Sequence, residues 1–356
     1  MMDGATAERP RRARIPTLDG WRAVSISFVL LSHSASGFDT SVYEALRLFG
    51  ANGVLVFFAI SGLLITKLLL EEADANGRIA LRAFYVRRCF RILPVVLLYL
   101  AFLTISGLTR TPGELAASLF FYRNYLPFNL AGIYTFHFWS LAVEEQFYAF
   151  WPGLMRLTGN RFVWPTALTL SLGTAAWRWA AVALHLIDTK SVPPGSRTDF
   201  TLDSMLMGAL TACILHRTES RLWLRRALHP AVWLCLAAAT VALCVFTVPF
   251  GDFLKATTIP LLLAGTILNP DWPVSRLLER EPMCLLGRIS YSVYIWQQMF
   301  LLPAWIPNRL GPLQLFPFSL LACLACASAS YHWLEKPLIA IGRRLSDRYT
   351  KVSIHA

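Results

Sequence analysis

Apolar residues fall along this chain in long runs rather than in the alternating or helical-stripe patterns of a soluble domain. Ten runs have roughly the length and apolarity of a helix that crosses a bilayer: about residues 21–38, 53–70, 89–107, 138–157, 162–186, 200–216, 230–248, 252–269, 285–303 and 313–334. Proline and glycine punctuate the connections, at Pro193-Pro194-Gly195, Pro249, Pro270, Pro303, Pro307 and Gly311-Pro312. The stretch 113–135 is semi-apolar and aromatic, which predicts an interfacial or re-entrant segment. No internal repeat is present. The expected fold class is all-α, a polytopic membrane helix bundle of about ten transmembrane helices. A basic segment over 1–20 precedes the bundle, which occupies 21–338, and a basic tail follows over 339–356. The first run follows the basic RPRRAR and has the look of a leader, but the number of later spans predicts a retained first span.

Composition agrees. Of 356 residues, 56% are hydrophobic and 15% charged, against roughly a quarter charged in a soluble domain. The net charge of +12 would suggest nucleic acid on a soluble protein. Here it sorts by side instead. With a cytoplasmic N-terminus and one crossing per span, 24 of the 33 Lys and Arg fall on inner segments and 7 on outer ones. The two others, Arg22 and Arg178, lie at or within spans. That asymmetry predicts both termini inside. The seven cysteines form no disulfide framework, and Cys323 and Cys326, though spaced C-x-x-C, sit in an apolar run and predict helix packing. Metal-ligand spacing, a Gly-rich phosphate loop and a G-x-S-x-G elbow are all missing from the sequence. His185, His216, His229 and His332 fall at span ends, where histidine is ordinary.

Ionisable residues at membrane depth are costly and point to function. Arg22 and His33 are eleven residues apart on the first predicted span, which places them on one face about 16 Å apart along the axis. Arg22 then sits at the cytoplasmic mouth and His33 inside, suiting a phosphate at the mouth and a base deeper in; the alternative is an arginine snorkelling to head groups and a histidine bonding a neighbour. Glu144 and Glu145 occur together in an apolar, aromatic span, about 9–10 Å from its outer end. His33 lies about 12 Å from the same face, so one glutamate is expected to orient it as a general base; a structural ion pair is the alternative. Arg87, Arg88 and Arg91 stack like charges on one helix, which favours an anion between them, or else plain positive-inside anchoring. Ser61 falls in the layer of His33, where bonding its own backbone is the bland alternative. Asp203 sits nearer the outer mouth as a candidate to hold a substrate hydroxyl.

Six stretches, IPTLDGWRAVSISFVLLSH, NGVLVFFAISGLLITKLLLEE, FYVRRCFRILP, FHFWSLAVEEQFYAFWP, GRISYSVYIWQ and HWLEKPL, occur in the order found in the acyltransferase 3 family of membrane-bound O-acyltransferases, which the chain resembles from residue 15 to 338. The resemblance implies a bundle of about ten helices and transfer from cytoplasmic acyl-CoA, most often acetyl-CoA, to hydroxyls of glycans or small molecules. It implies catalysis at His33, donor positioning at Arg22, CoA phosphate contacts at Arg88 and Arg91, an acidic motif at Glu144 and Glu145, and a match at Asp19 to the acid before the first helix. The chain departs from the pattern at Gln297, where many relatives have histidine, and at Thr201-Leu202-Asp203, where an arginine commonly precedes the acid. A 356-residue chain leaves no room for the SGNH-hydrolase-type domain that some relatives append, so a single-domain enzyme is expected.

The expected function is therefore acyl transfer from acyl-CoA to a sugar-containing acceptor, with no metal. The donor is held by Arg22, Arg87, Arg88 and Arg91, the chemistry is done by His33 with Glu144 and Glu145, and Asp19, Ser61 and Asp203 serve the substrate. A transporter or flippase for a glycan or lipid-linked sugar is the alternative, with the buried charges lining its path. A structural or sensing membrane subunit would tolerate substitution at His33 and Glu144.

Overall fold

The computed structural model describes residues 14–34, 40–127, 130, 132–188, 192, 194–302, 306 and 309–351. It is 84% helical, with no strand among the described residues. The α-helices in chain order are α1 (Pro16–Ser34), α2 (Thr40–Asn76), α3 (Leu81–Ile105), α4 (Pro112–Leu119), α5 (Phe138–Thr158), α6 (Val163–Ala183) and α7 (Thr198–His216). They continue with α8 (Thr218–Ala227), α9 (Pro230–Val245), α10 (Gly251–Leu268), α11 (Pro273–Leu278), α12 (Glu281–Phe300), α13 (Phe318–Ala329) and α14 (Lys336–Lys351).

A helix lies within each of the ten predicted runs, but fewer helices are both long and apolar enough to cross a membrane. Among the described residues four qualify, Phe49–Asn76, Leu81–Ile105, Thr198–His216 and Gly251–Leu268, and a fifth does if α8 and α9, bent by 78°, form one broken span. Several helices outside this set carry the polar groups singled out above: α1 holds Asp19, Arg22 and His33, α5 holds Glu144 and Glu145, and α12 holds Gln297 and Gln298. Such residues lower a helix's mean apolarity while turning inward, away from lipid. Large side chains such as Leu97, Phe150 and Leu234 stay exposed on the outside of the bundle, the pattern of a surface solvated by hydrocarbon.

With lipid as solvent, helices gain little from hiding leucines from one another, and close backbone approach does more of the packing. Three glycines show it. A Cβ on Gly62 of α2 would lie 1.9 Å from the Met205 carbonyl oxygen of α7, and one on Gly208 of α7 would lie 2.3 Å from the Ala59 carbonyl oxygen. On Gly287 of α12 a Cβ would likewise fall 1.8 Å from the Asp19 carbonyl oxygen of α1. These contacts bring α1, α2, α7 and α12 together, and α3 and α5 complete the core around Ile26, Phe58, Tyr99, Phe138 and Met205.

The stretch 113–135 is neither a span nor a loose loop. Thr111 caps α4 by accepting the Glu114 N–H at 3.2 Å, and the Glu114 carboxylate accepts the Arg110 N–H at 2.6 Å and the Gly132 N–H. This lashes the ends of a short segment together and sets two single 3-10 turns, Arg123–Tyr125 and Ile133–Thr135, against α5 and α12. The basic tail expected over 339–356 is, as far as Lys351, mostly a helix: α14 lies along α3, with Gly342 against Phe90 and with Arg343, Arg344 and Arg348 exposed. The buried Glu335 closes the preceding π-helical turn, accepting Ser292 Oγ at 2.5 Å and Ser330 Oγ at 3.1 Å.

Candidate active site

Two chambers lie in the middle of the bundle. The smaller, about 90 Å³, is lined by Arg22 of α1, Ser61 of α2, Arg88 and Arg91 of α3, Glu144, Glu145 and Tyr148 of α5, and Tyr291 and Tyr294 of α12. Glu144 accepts hydrogen bonds from the hydroxyls of both Ser61 and Tyr148. The Arg88 guanidinium lies 4.5 Å from the centre of the Tyr148 ring, a cation–π contact. Glu145 Oε1 is buried without a hydrogen-bond partner, with Arg88 and Arg91 as its cationic neighbours. No ion pair engages Arg88 or Arg91 among the described residues. The chamber thus gathers three guanidiniums around a carboxylate pair and retains unspent donors.

Arg87 is not among them. At about 100° per residue, Arg91 falls between Arg87 and Arg88 on the surface of α3, and Arg87 lies at the far edge. There the buried Glu72 of α2 binds it at 3.2 Å. Asp19 is not among the residues lining either chamber: it accepts Arg14 Nε at 2.5 Å and Arg22 Nη1 at 3.3 Å.

The larger chamber, about 1640 Å³, is lined by His33, Arg123, His137, Trp139, Arg178, Asp203 and Tyr294 among others. His33 Nδ1 lies 2.8 Å from the Val29 carbonyl, one turn back on α1. A carbonyl can only accept, so Nδ1 carries the proton and Nε2 keeps the lone pair. That is the tautomer a general base needs, fixed by the Val29 carbonyl, which also accepts the Ser32 hydroxyl at 2.8 Å.

Neither glutamate hydrogen-bonds this imidazole. The expected shared layer measures the depth of His33 from residue 21, taken as the inner end of a hydrocarbon core about 30 Å thick. Instead α1 starts at Pro16 and its described helix closes at Ser34, so His33 sits in the last turn. Its neighbour across the chamber is His137, at the start of α5. Glu144 is seven residues further along, about 10 Å away down the helix. The carboxylates therefore belong with the arginines, in the other chamber. Val54 and Tyr294 line both chambers, and the Tyr294 hydroxyl stands 2.5 Å from Ser140 Oγ and donates to the His137 carbonyl at 3.0 Å.

Asp203 does line the large chamber, but it is already engaged: Arg178 Nη2 donates to it at 2.9 Å and the Ser204 N–H at 3.0 Å. The arginine missing just before this acid in sequence comes instead from α6. Ser61, expected beside His33, faces Glu144. Sequence reasoning passed over His137, Arg123, Tyr148 and Tyr294. His137 is 2% exposed and neither ring nitrogen makes a hydrogen bond of normal geometry, although the Ile295 carbonyl lies near. Its one signal was its place in the FHFWS run, directly before the span that carries the glutamates.

Residues 15–332 match the family model described as "Acyltransferase domain", Acyl_transf_3. The chain belongs to the acyltransferase 3 family. Among curated proteins it is similar to the peptidoglycan O-acetyltransferase OatA of Listeria monocytogenes, 27% identical over 81% of this chain and 49% of the relative. It is also similar to a putative peptidoglycan O-acetyltransferase of Bacillus subtilis, 27% identical over 96% of this chain and 57% of the relative. A putative O-acetyltransferase of Staphylococcus aureus is 25% identical over 91% of this chain and 57% of the relative. The chain spans about half the length of these relatives. No solved structure matches it significantly. As a member of this family with O-acetyltransferase relatives, it is read as a membrane acyltransferase, and the two chambers are its candidate active site.

Proposed function

We propose that the protein moves an acyl group, acetyl by analogy with its relatives, from cytoplasmic acyl-CoA to a hydroxyl of a sugar-containing acceptor. One arrangement carries the reading: unpaired Arg88 and Arg91 with Arg22 in one chamber, the His33 imidazole in the next, and Val54 and Tyr294 lining both. The arginines bind the CoA phosphates, since a planar fork suits phosphate oxygens and three clustered cations repel one another until an anion arrives. Before that, Glu145 offsets part of the repulsion, and Glu144 holds the Tyr148 ring under Arg88. The pantetheine arm then follows α1 past Tyr294 for the roughly 16 Å between Arg22 and His33.

At its end, His33 Nε2 takes the proton of the acceptor hydroxyl as the oxygen attacks the thioester carbonyl. The carbon–sulfur bond breaks, and the imidazolium returns the proton to the leaving CoA sulfur. The ester oxygen, the acyl group and the free thiol account for every atom. In this account the bundle is one acyltransferase unit in the bacterial inner membrane, with about ten crossings, both termini inside, and the large chamber opening outward to the acceptor. Two of the relatives bear peptidoglycan in their names, so cell-wall glycan is the first acceptor to try.

The donor arm has a direct test. Purified protein supplied with solubilised envelope glycan should release CoA thiol from acetyl-CoA. Arg88→Ala should raise the KM for acetyl-CoA about ten- to a hundredfold, the worth of one charge-assisted contact, with less effect on kcat. An unchanged KM would remove the phosphate role from this chamber.

A further inference from the structure

The large chamber is more basic than the charge asymmetry of the chain predicts. Of the seven Lys and Arg assigned to outer segments, four line it, Arg110, Arg123, Lys255 and Arg309, and Arg178 joins them from α6. The two acids in its wall are already matched, Asp203 with Arg178 at 2.9 Å and Asp252 with Lys255 at 2.8 Å. Arg110, Arg123 and Arg309 are left over. Arg110 and Arg309 are exposed and can be solvated.

Arg123 cannot. It is 2% exposed, its Nη2 has no hydrogen-bond partner, and its Nε reaches Thr135 Oγ1 only at 3.5 Å. The Phe136 ring centre lies 5.7 Å from the guanidinium carbon, a weak substitute for an anion. Glu114, the acid that acts on it electrostatically, is committed to the backbone N–H groups of Arg110 and Gly132. A buried guanidinium with no carboxylate in ion-pair contact is among the more expensive things a fold can hold, and the segment lashed by Glu114 holds it at a chamber wall. His33 and Arg123 are both charge neighbours of the His137 ring, so the spare cation stands close to the proposed reaction centre.

We propose that Arg123 is the anion receptor of the acceptor site: the sugar acceptor carries an oxyanion, carboxylate or phosphate, that pairs with this guanidinium while its hydroxyl meets His33. The inference rests on reading the large chamber as the acceptor chamber. It predicts binding that needs no acyl donor, so it can be tested separately from transfer. An oxyanion accepts the free Nη2 donor and offsets the buried charge, whereas a neutral sugar does only the first.

The test uses the full chain in nanodiscs without CoA, with glucose, glucuronate and glucose 1-phosphate titrated by saturation-transfer NMR. At least one charged sugar should bind ten- to a hundredfold more tightly than glucose and be displaced by inorganic phosphate. A preference for glucose 1-phosphate assigns the oxyanion as phosphate, and the reverse assigns it as carboxylate. Arg123→Gln should abolish the preference, Arg123→Lys should retain part of it, and the exposed pair Arg110→Gln/Arg309→Gln should leave it intact. Equal binding of glucose, or a preference that survives Arg123→Gln, overturns the proposal. Should Arg123→Gln fail to fold, the exposed double variant decides: loss of preference there overturns it, and retention supports it. A chain that binds charged sugars through Arg123 but never releases CoA thiol keeps this inference and loses the transferase reading.

Discussion

Replacing Asp203 separates a structural ion pair from a substrate contact. Its side chain is almost wholly buried and pairs with Arg178 Nη2 at 2.9 Å, while Arg178 also donates to the Phe200 carbonyl. Removing one member of a buried pair costs about 3–5 kcal/mol because the other is stranded. Arg178 keeps its carbonyl partner and is 15% exposed, which puts Asp203→Ala near the lower end, about 3 kcal/mol. Unfolding entropy near 2 cal/mol/K per residue over 356 residues converts this to a fall in Tm of about 4 °C. Differential scanning fluorimetry of the detergent-purified protein reads the change. The double variant Asp203→Leu/Arg178→Leu removes both charges and should recover much of the loss. If Asp203→Ala melts with the wild type yet loses transfer, the pair is not structural and the acid belongs to the substrate. If the double variant is no better than the single one, the stranded-charge reasoning fails.

Other substitutions probe the frame and the donor chamber. Gly62→Leu forces side-chain atoms into the Met205 carbonyl and should part α2 from α7, lowering the yield of monodisperse protein; Gly153→Ala, with nothing within 4 Å of the new carbon, should behave as wild type. Arg87→Ala removes a cation from the buried Glu72 and should lower the melting temperature without altering the KM for acetyl-CoA, opposite to Arg88→Ala. A donor-affinity defect in Arg87→Ala would return that residue to the phosphate cluster.

Much of this was legible because lipid leaves few options. Apolar runs located helices in all ten predicted places, and the cost of charge in a membrane singled out Arg22, His33, Arg88, Arg91, Glu144 and Glu145, every one of which lines a chamber. Depth was harder to read. It depends on where each helix starts, and measuring His33 from residue 21 when α1 starts at Pro16 merged two chambers into one layer. Orientation around a helix was also hidden, so Arg87 was grouped with Arg88 until Glu72 showed which way it turns. Arg123 and His137 lie on or beside a short segment without periodicity, whose shape depends on the Glu114 hydrogen bonds. Nor does sequence distance reveal that Arg178 meets Asp203 from another helix.

The central claim is that His33 accepts the proton of the acceptor. Mass spectrometry of envelope glycans from cells expressing the wild type or His33→Ala, at matched membrane levels of the protein, tests it most directly. The account predicts an added acetyl mass with the wild type and none with His33→Ala. The same acetylated species at the same abundance in both would contradict it.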